Sequence, residues 1–199
     1  INFVALLGWH PTNNQEIFSL KDLIASFSIN RINKSGAVFD IEKLNWMNGM
    51  YIRKLNEDDF YKYCENIFNK SKIHIDDKNK FLRFVQYSQK RINSLEEIIN
   101  EANFFYKAII INQKDLDEFQ FVEIFQFWID ELLEIKNLDK ESIDEIIKKT
   151  NTALDISGKN LFLPLRLALI GVKHGPDIFS IIYILGIEDT VIKLTKLIK

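Results

Sequence analysis

Seven glycines and three prolines are all that punctuate 199 residues. These two residue types end most helices and set most turns, so a chain this poor in them must run through long regular elements. The apolar spacing says which element. Phe60, Tyr63, Cys64, Ile67 and Phe68 fit a 3.6-residue period, and Phe121, Ile124, Phe125, Trp128 and Leu132 fall on one face of a long helix over 117–135. Ile41, Leu44, Met47 and Tyr51 form a third stripe. Start signals agree with the period: Ser19 with Asp22 and Ser94 with Glu97 have capping-box spacing, and Asp40, Asn56 and Asp139 stand where N-caps belong. The expected fold is all-α.

Breaks in that pattern suggest the organisation. Asn2 to Leu7 reads as a helix stopped by Gly8, with Pro11 shortly after. Lys34 to Phe39 reads as a loop followed by a short extended segment. A polar break from Ile75 to Asn79 precedes a helix that ends at Arg91, and Asn137 to Asp139 marks a boundary. The chain divides on this reading into a portion 1–55 and two helical subdomains, 56–137 and 138–199.

Between Gly158 and Gly186 two short helices bracket one turn. Pro164 suits the first position of the earlier helix and Gly171 its left-handed close. Gly175-Pro176 is a strong turn signal, and Asp177 sits well in the first turn of the next helix, whose apolar face is Ile178, Ile181, Ile182 and Leu185. Arg166 is the only formal charge between Leu161 and Val172. A lone arginine on so apolar a helix is either paired inside, for instance with Asp155, or aimed at a ligand.

Composition narrows the function classes. No run of 18 apolar residues is present, so no transmembrane helix is expected. The first residues lack Met and a basic leader and read as the inside of a helix, which suggests a piece of a longer protein. A single cysteine, Cys64, on an apolar stripe suits a small buried hydrophobe in a reducing cytoplasm. His10, His74 and His174 show no metal-ligand spacing with it, and there is no glycine-rich phosphate loop. No catalytic, cofactor-binding or metal-ligating residue is therefore assigned. The formal net charge of −2 means that any nucleic-acid surface must be local.

The local pattern G-K-x-L-F-x-P-L-R-x-A-L-x-G-x-x-H-G-P, Gly158 to Pro176, resembles the C-terminal anticodon-binding region of bacterial glutamyl-tRNA synthetases. Asn2 to Trp9, Glu16 to Phe27 and Ile32 to Arg53 resemble the stretch that follows the signature lysine loop in the same family. The resemblance covers most of the chain. It implies a stem-contact portion followed by a helical anticodon-binding domain, acting with tRNA(Glu), and with tRNA(Gln) as a second candidate. It also implies that ATP, Mg2+ and glutamate chemistry belong to a catalytic domain upstream of Asn2, and that the protein is a cytoplasmic monomer.

Residue roles follow from it. Arg91, in Arg91-Ile92-Asn93-Ser94-Leu95, matches the arginine that reads the third anticodon base; by itself it reads as a solvated cation at a helix C-terminus. Arg166 becomes an anticodon-loop contact. His174 and Gly175 line the turn, where Gly175 would offer its backbone and Pro176 and Ile178 apolar surfaces for a splayed base. Lys43 and Lys34 become phosphate contacts, while Trp46 beside them is expected in the core. The competing reading is a helical protein-interaction module. It needs the aromatics between Phe119 and Trp128 to form an exposed patch.

Overall fold

The computed structural model describes residues 1–199, the side chain of Gln113 excepted. Among the described residues twelve α-helices follow in order: α1 (Asn2–Gly8), α2 (Leu20–Ser26), α3 (Ile41–Lys54), α4 (Glu57–Lys70), α5 (Lys78–Arg91), α6 (Glu97–Tyr106), α7 (Gln113–Leu116), α8 (Phe121–Glu134), α9 (Lys140–Leu154), α10 (Lys159–Ile170), α11 (Ile178–Leu185) and α12 (Ile187–Ile198). Among the described residues no strand forms. The segment after Lys34 expected to be extended runs without ladder partners, and one isolated bridge joins Trp9 to Ile32.

Side-chain caps explain six of the helix starts. Ser19, Asp40, Asn56, Asp77, Asp139 and Asp177 each accept a backbone N–H from the first turn of the helix that follows. The Ser94–Glu97 capping box does not form. Residues 94–99 close as tight turns, with the N–H of Glu97 on the Ser94 carbonyl, and the Glu97 carboxylate reaches back to the Asn93 N–H at 3.1 Å. Pro164 lies inside α10 rather than at its first position, because the positive-φ backbone of Gly158 starts that helix at Lys159. The long helix over 117–135 is shorter than its pattern and begins at Phe121, after the separate turn of α7.

One apolar cluster runs from Ile52 to Leu194 and joins α4, α5, α6, α8, α9, α10, α11 and α12. Phe68 is its aromatic hub, with its ring 4.9 Å from Phe81, 5.1 Å from Tyr106 and 5.5 Å from Phe84. Truncating such a fully buried phenylalanine to alanine costs about 3–5 kcal/mol. Further along, α8 lies against α9 and α12 and buries Phe125 and Trp128 completely. Cys64 is buried in the same cluster, and burial pushes its thiol pKa up to about 12.

The first 46 residues pack differently. Trp9, Phe18 and Leu23 make a small separate core, fixed by the Asn2 side chain, whose oxygen accepts from the Phe18 N–H at 2.8 Å and from the Tyr51 hydroxyl at 2.6 Å. Around it Val38, Ile29 and Ile24 stand 85%, 77% and 70% exposed. Trp46 is exposed too, contrary to the expectation of a core residue. The buried line of α3 runs through Met47, Gly49 and Ile52 and leaves its neighbour Trp46 outside.

Candidate nucleic-acid interface

The C-terminal half of α5 lies antiparallel to α11, and three contacts set the pairing. Arg83 donates to the carbonyls of Ile184 and Leu185 at 3.1 and 3.4 Å, placing a cation on the negative end of α11. One turn on, Gln86 accepts the Tyr183 hydroxyl at 3.2 Å. The end of α5 is held from its other side by α3. Asn48 donates to the Asn93 carbonyl at 2.6 Å and Arg53 to that of Ile92 at 3.3 Å, while Gln89 bonds the carbonyls of Ile52 and Leu55 at 3.1 and 2.9 Å. Gly49 lets the Asn93 and Arg53 side chains come close at this crossing, since a β-carbon there would push both aside.

Arg91 therefore sits at a helix end whose backbone is fixed on both sides. Its side chain is exposed, with the guanidinium 5.0 Å from the Tyr87 ring centroid. Among the described residues it makes no hydrogen bond or ion pair, which leaves its fork of donors free. Glu101 and Asp177 bear on it electrostatically. Burial pushes the Glu101 carboxyl above the ordinary carboxylate range, against the attraction of Arg91, and the Tyr87 hydroxyl faces it without closing a full hydrogen bond. For Asp177, burial pushes upward, but bonds from Ser180 and the charge of Arg91 outweigh it and hold the carboxyl below its usual value.

The 174–178 turn is built as a connector with one exposed edge. Gly171 ends α10 at φ 72°, and Asp177 caps α11 by accepting the Ser180 N–H at 3.0 Å and the Ser180 hydroxyl at 2.6 Å. His174 and Gly175 are exposed. Pro176 and Ile178 are buried, so neither offers the stacking surface expected of it: Ile178 heads the inward apolar face of α11, two residues after the buried Pro176. Arg166 is not paired with Asp155 or any other carboxylate among the described residues. Its Nε donates to the Pro176 carbonyl at 3.0 Å, so it ties α10 to the turn.

Of the two lysines, Lys43 is engaged with Glu16 at 2.6 Å, and its side chain is 38% exposed. Lys34 is exposed in the open segment. The two lie within residues 1–46.

Side chains that the pattern did not single out complete the surface beside Arg91. A groove of about 540 Å³ opens between α5 and α11, lined by Tyr87, Lys90, Arg91, Phe179, Ser180 and Tyr183 together with Glu57, Gln86 and Gln89. Phe179 and Tyr183 stand one turn apart with ring centroids 5.8 Å apart and planes tilted by 36°. The missed signal was their i, i+4 spacing on the flank of α11, about 100° round from Ile178 and Ile182. Elsewhere Phe125 and Trp128 are core and Phe119, Phe121 and Phe127 are half-buried, so among the described residues the aromatics from Phe119 to Trp128 form no exposed patch for a protein-interaction module. Among the described residues no three His, Cys, Asp or Glu side chains gather into a metal-binding cluster. Among the described residues no helix is long and apolar enough to cross a membrane.

The family described as "Anticodon binding domain" matches residues 59–198, so the helical domain that carries Arg91 and the groove belongs to that family. The family "tRNA synthetases class I (E and Q), catalytic domain" matches residues 1–46. Glutamate–tRNA ligases of Heliobacterium modesticaldum and Ureaplasma urealyticum are 34% and 31% identical over 98% and 100% of this chain. A crystal structure of a glutamate tRNA ligase from Elizabethkingia meningosepticum superposes with a TM-score of 0.81 at 26% identity, covering 99% of this chain. The chain belongs to the glutamate–tRNA ligase family, of which it represents the C-terminal part with the anticodon-binding domain. It spans 42% of the length of those two relatives and 40% of that solved chain.

Proposed function

We propose that this chain binds tRNA(Glu) by its inner stem and anticodon, and so presents the acceptor end to a class I catalytic domain that attaches glutamate using ATP and Mg2+. No residue of this chain is assigned to the ATP or Mg2+ chemistry. The single observation that carries the reading is Arg91, a free guanidinium on a rigid helix end beside an aromatic groove. A forked donor can satisfy a base edge at two points, which an unstacked anticodon base presents. His174 and Gly175 supply an exposed turn edge for the neighbouring nucleotides, and Arg166 contributes by holding that turn. Lys34, and Lys43 once it leaves Glu16, position phosphates on the 1–46 portion without reading sequence. Because Arg91 reads the third base, tRNA(Gln), which differs from tRNA(Glu) at that letter of the code, is the competitor that matters.

The experiment is Arg91→Gln, assayed for binding to glutamate tRNA and to the same tRNA changed at the third anticodon base. Selectivity between them should fall by roughly 1–3 kcal/mol, the scale of one bidentate base contact, with the melting temperature unchanged. Equal selectivity in parent and variant would remove Arg91 from base reading.

A further inference from the structure

We propose that the groove between α5 and α11 is the seat of the base that Arg91 reads, with the Phe179–Tyr183 ring pair as the shelf on which that base stacks. The assignment rests on the anticodon reading and adds to it the residues that bear the face of the base. Reading an edge requires holding the face, since a base in water prefers to stack on its neighbours in the RNA loop. A protein that unstacks it must offer an aromatic surface in exchange.

The groove offers that surface on one wall and a charge on the other. Phe179 and Tyr183 are both half-buried, packed against the core and lining the groove. Their tilt of 36° makes a shallow continuous surface rather than an edge-on pair. The Tyr183 hydroxyl is anchored to Gln86 at 3.2 Å, which fixes the ring from across the groove. On the far wall Arg91 lies over Tyr87, and Lys90 stands exposed next to it.

The polar groups sort themselves by availability. Gln89 is occupied by two carbonyls of the α3–α4 connection, and the Ser180 hydroxyl by Asp177. Neither can bind a ligand without breaking the local structure. Lys90 and Arg91 are left without hydrogen-bonding partners among the described residues. In a chain of net charge −2, two free cations at the mouth of an aromatic groove favour an anionic polymer with flat apolar bases over an apolar peptide. An aromatic shelf plus adjacent cations is the combination that binds single-stranded nucleic acid.

The probe is an anticodon-arm RNA hairpin carrying a fluorescent cytosine analogue at the third anticodon position, titrated with the 199-residue chain. Stacking of the analogue on a ring quenches its emission. The parent should bind and quench. Phe179→Leu and Tyr183→Leu should each weaken binding by roughly 5- to 100-fold and abolish the quench, while Tyr183→Phe, which keeps the ring, should retain it. Arg91→Gln should lose selectivity but keep the quench. Parent-like binding and quenching in the double variant Phe179→Leu/Tyr183→Leu would overturn the shelf and leave Arg91 as reader intact. Failure of the parent to bind the hairpin at low salt would overturn the anticodon reading and the shelf with it. Weakened binding that tracks a lowered melting temperature in both leucine variants, with Tyr183→Phe equally affected, would reduce the rings to a packing role.

Discussion

Arg166 separates a structural from a recognition role for a residue on which both bear. In the free protein its Nε is committed to the Pro176 carbonyl at 3.0 Å, and Pro176 is buried at the head of α11. Replacing it with methionine keeps the length and the apolar stem but removes the donor, so a buried carbonyl loses its partner. A hydrogen bond from a charged group is worth about 1.5–3 kcal/mol, and an unpaired buried acceptor costs a similar amount. For a chain of 199 residues a loss of that size lowers the melting temperature by about 5–9 °C, at roughly 3 °C per kcal/mol. Thermal unfolding followed by circular dichroism measures it, with Arg166→Lys as the companion that keeps the charge. Methionine should show the full drop. A melting temperature within a degree of the parent, accompanied by a marked loss of RNA affinity, would refute the structural role and return Arg166 to direct contact.

Three further outcomes are expected. With its thiol raised to about 12 and fully buried, Cys64 should resist a thiol reagent at pH 8 in the native state and react only at the rate of unfolding; prompt stoichiometric labelling would contradict its burial. Glu101 holds its proton more tightly folded than unfolded, because burial raises its carboxyl. Stability should fall as pH rises from the ordinary carboxylate range through that raised value. Glu101→Gln should therefore be more stable than the parent near neutrality and lose the advantage as pH drops below that window, and urea titrations at several pH values decide it. Lys43→Ala should weaken all tRNAs alike and reduce the salt slope of binding by about one unit; an unchanged slope would mean that Lys43 stays with Glu16 in the complex.

The helices were legible because their signals are local. Period and caps are written within a few residues: Asp40, Asn56 and Asp139 cap as their positions suggest, and Asp177, expected in the first turn, stands one place earlier as the cap. Errors came where tertiary geometry decides. Ser94 had the right spacing for a cap, but tight turns took the N–H groups it would have accepted. Trp46 reads as core by its chemistry, and only the register of α3 against its neighbours puts it outside. Of the site, Arg91 and the turn could be placed from a motif, whereas the burial of Pro176 and Ile178 could not. The aromatic wall of Phe179 and Tyr183 exists only once α5 and α11 are side by side, since its other half comes from residues about 90 positions earlier in the chain (on the order of half its length).

Binding of this chain to glutamate tRNA, and to the same tRNA altered at the third anticodon base, at two salt concentrations, tests the central claim most directly. The account predicts tighter binding to the unaltered tRNA at both concentrations, with overall affinity falling as salt rises while the ratio between the two holds. Equal affinity for the two tRNAs at both salts would contradict it, leaving a surface that follows phosphates and reads nothing.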